Sequence, residues 1–180
     1  LLSLKIEGDY CLRGVDSRCE RCPECLRIMS MEITHLGSGS RGNSALLQSD
    51  ESKVLVDCGF SLKQINSRLS RIGVKGEDID AIVLSHHHSD HSKSAARASR
   101  LWDARLYSNL ETAMRLGLRP IEDVRTFSGL ERLQVGPDLS ILPVPVPHDD
   151  ADNVAIIASN GGGRRAAIVT DLGEVTVELR

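Results

Sequence analysis

Hydrophobic and polar residues alternate in short runs from Met31 onward, in a pattern typical of β-strands. The runs MEITHL, ALLQS and KVLVDCG predict three strands, and the last run carries Asp57 at its end. The loop GSGSRGNS separates the first two strands, and the turn DES separates the second from the third. The pattern therefore predicts a β-meander whose first connection is a loop rich in glycine and serine.

Helical spacing replaces this alternation after the third strand. Apolar residues three or four positions apart predict an amphipathic helix with its N-cap at Ser61 and its terminator at Gly73. The next run, IDAIVLS, is nearly all apolar, as expected for a strand buried on both faces. KSAARASRLW and LETAMRLGL predict two further helices, with a strand ARLYS between them.

The last third of the chain returns to strand patterns. RTFSGLERLQVG and LSILPVPVPH predict hairpin strands, and the prolines of the second run favour a sheet edge. NVAIIAS, the turn NGGG and RRAAIVTD predict a second hairpin. Strands and helices in this mixed order predict an α/β sandwich and disfavour a doubly wound parallel sheet.

Composition adds limits on the class of protein. The 180 residues are 41% hydrophobic and 3% aromatic, which predicts one soluble domain with a mainly aliphatic core. The net charge of -3 gives no overall attraction to nucleic acid, so such binding would need a local basic face. We find neither a membrane-spanning run nor a secretory signal, and we expect a cytoplasmic protein with no membrane partner.

Four of the five cysteines lie in the first 28 residues, where CERCPEC has C-x2-C-x2-C spacing. Thiolates at this spacing could bind zinc or an iron–sulfur cluster. The fourth ligand would have to be Cys11, and no second C-x2-C pair exists elsewhere. We favour the alternative that residues 1–28 form an N-terminal extension and that the domain spans residues 29–180.

The segment SHHHSDH, which begins at Ser85, is the strongest chemical signal in the chain. Residues two apart in an extended segment face the same side. His86 and His88 can therefore bind one ion, whereas His87 points away. A position in mid-chain, directly after a buried strand, argues against a purification tag. A solvated loop would not need four histidines and an aspartate.

A turn into a helix at Ser89 would bring Asp90 and His91 back toward a neighbouring point, so one segment could serve two adjacent ions. Imidazole ligands suit zinc, iron or manganese, and the carboxylate shifts the preference toward harder ions. With no cysteine in the cluster, an open position that keeps a water is favoured over a closed structural zinc site. The segment therefore predicts a metal centre.

The pattern H-x-H-x-D-H after a buried strand resembles the hallmark of the metallo-β-lactamase superfamily. The resemblance extends from Met29 to Arg180 and is greatest to the YycJ/WalJ-type branch. It rests on four blocks in the same order: LGSGSRGNS, VLVDCGFSLKQINSRL, PVPHDDADNVAI and AAIVTDLG. One departure is Ser85, where threonine is usual. The resemblance implies an αββα sandwich.

The resemblance also implies a role for each matching residue. Asp57 would brace the ligand loop without binding metal. The chemistry of such a site would also allow Asp90 to orient the attacking hydroxide. The implied ligands are His86, His88 and His148 for a first ion, Asp90 and His91 for a second, and Asp171 as a bridge. Considered alone, His148 would be an ordinary loop histidine and Asp171 a helix cap. Both follow predicted strands, however, from which side chains can project into a shared cleft.

The superfamily's second site also uses a histidine beyond the bridging aspartate, and no histidine follows His148 in this chain. The second half of the fold normally extends well past the position of Asp171. We therefore expect the 180 residues to be truncated at the C-terminus and the second metal site to lack one ligand.

The implied chemistry is metal-assisted hydrolysis with two divalent ions, zinc or manganese. The YycJ/WalJ-type branch implies exonuclease activity on DNA. The loop GSGSRGNS could present backbone amides to phosphate, with charge from Arg41 and donors from Asn43 and Ser44. A plain tight loop beside the site is the alternative. Two other functions stay open: a thioesterase or lactonase with the same ligands, and a metal-binding fragment without catalysis.

Overall fold

The computed structural model describes residues 2–6, 30–148 and 152–172, and these form two packed β-sheets with helices on one side. The first sheet has seven strands in chain order: β1 (Leu2–Ile6), β2 (Met31–Gly37), β3 (Ser44–Ser49), β4 (Lys53–Val56), β5 (Ala81–Val83), β6 (Arg105–Asn109) and β7 (Arg125–Phe127). The second has the order β11-β10-β9-β8, with β8 at Leu133–Gln134, β9 at Leu139–Pro145, β10 at Val154–Asn160 and β11 at Arg165–Ile168. The helices are α1 (Leu62–Ser70), α2 (Ser89–Ser92), α3 (Ala95–Trp102) and α4 (Leu110–Arg115).

The first sheet changes direction at β4. Strands β1 to β4 pair antiparallel, as the predicted meander requires, and β4 to β7 pair parallel. The helices serve as the crossover connections that parallel strands need. Parallel pairing places the carboxyl ends of β4, β5 and β6 at one edge of the sheet.

Helices α1, α3 and α4 cover the outer face of the first sheet. The Ser61 hydroxyl accepts a hydrogen bond from the Gln64 amide, and the Gln64 side chain accepts one from the Ser61 amide. This capping box fixes the start of α1, as the sequence predicts. Ile65 and Leu69 are fully buried against aliphatic residues of the sheet, including Leu55. Burial of side chains of this size stabilises the fold by about 1.5–3 kcal/mol each.

The two sheets pack face to face through a second aliphatic core. Residues such as Val54 and Val83 of the first sheet meet Ile141 and Ile156 of the second. Strands β3 and β5 are buried on both faces, since they lie between the helices and the second sheet. The predicted α/β sandwich of the metallo-β-lactamase type is confirmed. The described residues form both sheets and one of the helical layers.

The tail differs in part from the expected pair of hairpins. The segment 125–136 divides between the sheets, with β7 in the first and β8 in the second. Strand β9 lies between β8 and β10, so the expected edge position is wrong for the strand as a whole. β8 spans only two residues, however, and its pairing ends at Ile141, before Pro143 and Pro145. The two prolines lie beyond the end of β8, where β9 has no regular strand among the described residues to pair with on that side.

The N-terminal segment is described only at residues 2–6. Leu2–Ile6 pairs with β2 from His35 to Met31, so these residues join the edge of the first sheet. The CERCPEC motif lies outside the described residues, and the boundary at residues 28 and 29 stays a prediction. No helix in the described part of the chain is long and apolar enough to cross a membrane.

Candidate metal centre

Four strand ends meet at one edge of the sandwich. Asp57 and Ser85 follow the parallel strands β4 and β5 and so lie at the same edge of the first sheet. β9 and β11 both pair antiparallel with β10 and therefore run parallel to each other. His148 and Asp171 follow their carboxyl ends. The Val154 amide at the start of β10 donates to the Ser85 carbonyl over 3.2 Å, which joins the two sheets beside the cleft.

The histidine segment has the local form that its spacing predicts. The backbone is extended at His88, and α2 begins at Ser89. The His88 carbonyl accepts hydrogen bonds from the amides of His91 and Ser92, both at 2.9 Å. This single helical turn brings His91 back beside His86, with their ring centroids 4.2 Å apart.

Two groups of potential ligand atoms lie in the cleft, and His86 belongs to both. One group is His86, His88 and His148; the other is His86, His91 and Asp171. Within each group the ligand atoms lie within 4.8 Å of one another. The His91 Nε2 is 2.7 Å from the Asp171 Oδ2. Residues from three separate chain segments therefore converge on one point.

His86 carries the clearest sign of an ion site. Its side chain is fully buried, and its Nδ1 lies 3.0 Å from the Ser85 hydroxyl, which donates to the Asp57 carboxylate. The Nδ1 therefore carries the proton and donates to the hydroxyl oxygen. The Nε2 has no hydrogen-bond partner among the described residues and lies 3.9 Å from the Asp171 Oδ2.

Protonation cannot readily satisfy this orphaned nitrogen. Burial, together with the neighbouring histidines, lowers the pKa of His86 to about 3. The ring is therefore neutral near pH 7, with a buried lone pair directed at other imidazoles and a carboxylate. Such a donor set fits a divalent transition-metal ion.

Asp57 links the histidine segment to the first sheet. It is 1% exposed, and its Oδ1 accepts from the Ser85 amide at 2.8 Å. Its Oδ2 accepts from the Ser85 hydroxyl at 2.8 Å and from the His91 Nδ1 at 2.7 Å. Asp57 has φ +60°, a conformation in which aspartate is several-fold enriched among non-glycine residues. The carboxylate contacts two residues of the histidine segment and reaches no candidate ion position.

This contact also sets the chemistry of His91. Because the Asp57 carboxylate only accepts, the His91 Nδ1 carries a proton and the Nε2 faces Asp171. Burial lowers the pKa of His91, but the hydrogen bond and charge of Asp57, with Asp171 and Asp90, outweigh it and raise the pKa above its ordinary value. The negative surroundings of this ring favour a cation at its Nε2.

Asp90 lies at the rim of the cluster. Its side chain is 30% exposed, and its Oδ2 is 3.6 Å from the His91 Nε2. The carboxylate accepts a hydrogen bond from the Asn43 amide, with the Nδ2 at 3.1 Å from the Oδ2. Asp90 is therefore beside the second group of ligand atoms and accessible from the cleft.

The three residues expected to bind substrate have different surroundings. Arg41 is exposed in the glycine-rich loop, while Asn43 contacts Asp90 and His91. Ser44 is only 3% exposed, and its hydroxyl donates to the Asp57 carbonyl at 2.8 Å. The hydroxyl of Ser44 is therefore buried and already paired, and its expected contact with phosphate stays a prediction that this placement does not favour.

Two polar residues of the site were missed by the sequence reasoning. The Ser85 hydroxyl connects Asp57 to His86, and the usual threonine would supply the same hydroxyl, which was the available signal. Asn153 is 1% exposed and donates from its Nδ2 to the carbonyls of Thr170 and Asp171, at 3.0 and 3.4 Å. It holds the turn that carries Asp171. A single asparagine in a loop gives no such signal.

Comparison with known proteins gives the same assignment. Residues 37–172 match the family model described as the metallo-beta-lactamase superfamily. The exodeoxyribonuclease YycJ of Bacillus anthracis is 31% identical over 156 residues, which cover 84% of this chain and 58% of YycJ. The exodeoxyribonuclease WalJ of Streptococcus pneumoniae is 46% identical over 77 residues, 43% of this chain and 29% of WalJ. The chain thus spans under two thirds of the length of these relatives.

A solved structure shares the fold. MEM-A1, a subclass B3 metallo-beta-lactamase from a soil metagenome library, superposes with a TM-score of 0.60 at 22% identity, over 75% of this chain and 58% of that one. At this identity the likeness concerns the fold alone. The family match over residues 37–172 shows that this chain belongs to the metallo-β-lactamase superfamily.

Proposed function

We propose that this protein is a metal-dependent phosphodiesterase that acts on DNA as an exonuclease. The observation that carries the reaction type is the buried, unpaired Nε2 of His86 among His88, His148, His91 and Asp171. Support for DNA as the substrate comes from the similarity to YycJ and WalJ, both exodeoxyribonucleases.

The proposed ligands divide into two sets. His86, His88 and His148 would hold one ion, and Asp90 and His91 would hold the other. Asp171 would bridge the pair, since its Oδ2 approaches both His91 and His86. Zinc or manganese suits these imidazole and carboxylate donors. When bound, such ions supply an activated water and neutralise charge that develops on the phosphate.

The protein's own groups would orient this reaction. Asp90 is half-buried and accessible from the cleft, so its carboxylate could orient the attacking water and accept its proton. Asp57 and Ser85 hold two of the rings, which limits reorganisation as charge develops.

A basic group near the cleft suits a phosphate backbone. Arg41 is exposed two residues before Asn43, which contacts Asp90. Arg115, at the end of α4, affects His87 electrostatically, but its guanidinium is ion-paired with the Glu111 carboxylate at 2.6 Å. Arg41 is therefore an exposed cation beside the cleft that supports contact with a phosphate backbone, although the net charge is -3.

The test is hydrolysis by the chain loaded with zinc or manganese. Its substrates are end-labelled duplex DNA, bis(p-nitrophenyl) phosphate, a thioester and a lactone. We expect both phosphodiesters to be cleaved, with stepwise loss of nucleotides from DNA ends. His88→Ala should reduce the rate more than about 100-fold, since loss of a group that only hydrogen-bonds a metal ligand typically costs 10–100-fold. Ser67→Ala, at an exposed position of α1, should leave it unchanged.

The other outcomes identify the alternatives. Cleavage of the thioester or lactone in preference to both phosphodiesters would contradict the proposal and favour those chemistries. Binding of metal without hydrolysis of any of the four substrates would favour a metal-binding fragment.

A further inference from the structure

We infer that Asn43 is a positioning residue that holds the Asp90 carboxylate toward the metal cluster, rather than a group that binds phosphate. The inference rests on the proposed role of Asp90 and makes it more specific. It replaces the expectation that the Asn43 amide contacts substrate.

Asn43 binds Asp90 at both its backbone and its side chain. The Asn43 amide nitrogen of the backbone donates to the Asp90 carbonyl at 2.7 Å. The Nδ2 donates to the Asp90 Oδ2 at 3.1 Å and lies 3.3 Å from the same carbonyl. The backbone bond fixes the position of Asp90, and the bond from the Nδ2 restrains rotation of its carboxylate. Among the described residues, Asn43 supplies the only hydrogen bond to this carboxylate.

The orientation of the Asn43 amide is itself determined. Its Oδ1 accepts from the Gly39 backbone amide at 2.9 Å. Because the Gly39 amide is a donor, the end of the Asn43 side chain that faces it must be the oxygen, and the nitrogen end therefore faces Asp90. The Nδ2 also lies 2.9 Å from the His91 Nε2, but an ion bound to that nitrogen would replace this contact, whereas the contact with Asp90 would remain. A phosphate would have to displace these partners to reach it.

The surrounding backbone keeps Asn43 in place independently of its side chain. The Gly59 amide donates to the Asn43 carbonyl at 3.1 Å. A Cβ at Gly42 would come within 2.6 Å of the Phe60 ring, and Gly42 has φ +146°, so the residue before Asn43 is held by packing and by glycine. Removal of the Asn43 side chain should therefore free the Asp90 carboxylate while the loop remains folded.

The functional consequence concerns the second ion. A ligating carboxylate depends on its hydrogen-bond partners, and loss of such a partner typically lowers metal affinity 10–100-fold. Asp90 is proposed for the second set of ligands only. Substitution of Asn43 should therefore weaken one of two binding steps and leave the step that uses His86, His88 and His148 unchanged.

The experiment is a cobalt(II) titration of the metal-free chain, followed by visible absorption and by calorimetry. We expect two binding steps for the unmodified chain. Asn43→Ala should weaken the weaker step 10–100-fold, and Asn43→Gln, which retains a donor on a longer side chain, should recover part of the loss. Urea unfolding of the metal-free variants shows whether the fold is intact.

Asn160→Ala is the matched control. Asn160 also fixes a loop, with its Oδ1 accepting from the amides of Gly162 and Arg164, but it lies at the opposite end of β10 from the cleft. Its substitution should lower stability without a change in either step.

Three results would overturn the inference. They are unchanged binding by Asn43→Ala, equal weakening of both steps, and a single step in the unmodified chain, which would leave no second ion for Asp90. The titration uses no substrate, so a failed nuclease assay alone would contradict the proposed function and leave the positioning role standing.

Discussion

Asp57→Asn tests the link between hydrogen bonding and metal affinity most directly. The substitution keeps the shape of the side chain but replaces one acceptor with a donor. The Oδ1 can still accept from the Ser85 amide, whereas a donor in place of the Oδ2 would oppose the proton on the His91 Nδ1. His91 can restore a hydrogen bond only by moving its proton to the Nε2, where it would donate to Asp171 at 2.7 Å.

The magnitude follows from the contacts that change. The charged acceptor of the His91 and Ser85 hydrogen bonds is lost, and each bond to a charged group contributes about 1.5–3 kcal/mol. A neutral bond replaces one of them, so we expect the free energy of unfolding to fall by about 2 kcal/mol. The Nε2 lone pair of His91 is also lost when the proton moves there. Affinity for the second ion should therefore fall about 10–100-fold, which corresponds to a loss of about 1.4–2.8 kcal/mol in binding free energy.

Urea unfolding of the metal-free protein and a cobalt titration measure these two quantities separately. Asp138→Asn is the control, because the Asp138 carboxylate also accepts from two serine hydroxyls, at Ser49 and Ser52, but at a different turn. It should lose stability and keep its metal affinity. If Asp57→Asn bound both ions as tightly as the unmodified chain, the assignment of the His91 proton to the Nδ1 would be refuted.

Three further predictions follow from particular positions. Gly59→Ala should cost more than about 3 kcal/mol in urea unfolding, because its Cβ would lie 1.6 Å from the Asp90 carbonyl oxygen. Gly73→Ala is the control, because Gly73 has φ +74° but no atom lies within 4 Å of an added Cβ, and it should cost only about 1–2 kcal/mol. Equal losses in the two variants would contradict the clash at Gly59. Burial, with the charge of Asp57, raises the pKa of the Cys58 thiol to about 12, so peptide mapping should find it unmodified by iodoacetamide at pH 8 until the chain is unfolded. Burial raises the pKa of Asp138, but its hydrogen bonds to Ser49 and Ser52 outweigh this and hold the pKa below its ordinary value of 3.8. The contribution of Asp138 to stability is therefore complete above that pH and is lost as pH falls through the pKa of the folded state. The slope of unfolding free energy against pH below 4 should therefore be shallower in Asp138→Asn, and an identical slope would exclude this carboxylate as a source of acid sensitivity.

Much of the fold could be predicted because its signals are local. The cap at Ser61 and the apolar spacing through Ile65 and Leu69 are short-range properties of the backbone, and α1 forms where they indicate. The edge position of β9 could not be predicted from its prolines, because strand order depends on which distant segment pairs with it. A partner as short as β8 gives almost no pattern in the sequence.

The candidate site divides in the same way. Convergence of His86 with His91 follows from one extended segment and one helical turn, so consecutive residues were enough to predict it. His148 and Asp171 reach the cluster only because β9 and β11 run parallel in a second sheet packed on the first. No local rule specifies that packing, and their roles could be expected only from the family resemblance.

The sequence by itself determined the metal-binding character of this protein, since residue type and spacing within seven consecutive positions set which donors lie together. Only the tertiary structure decided what the glycine-rich loop contributes. Asn43 and Ser44 look alike in the sequence as exposed polar donors. Folding pairs one with Asp90 and buries the other against the Asp57 carbonyl. The physical reason is that folding sets which partners and how much solvent surround a hydrogen-bond donor, and these surroundings determine what the donor can bind.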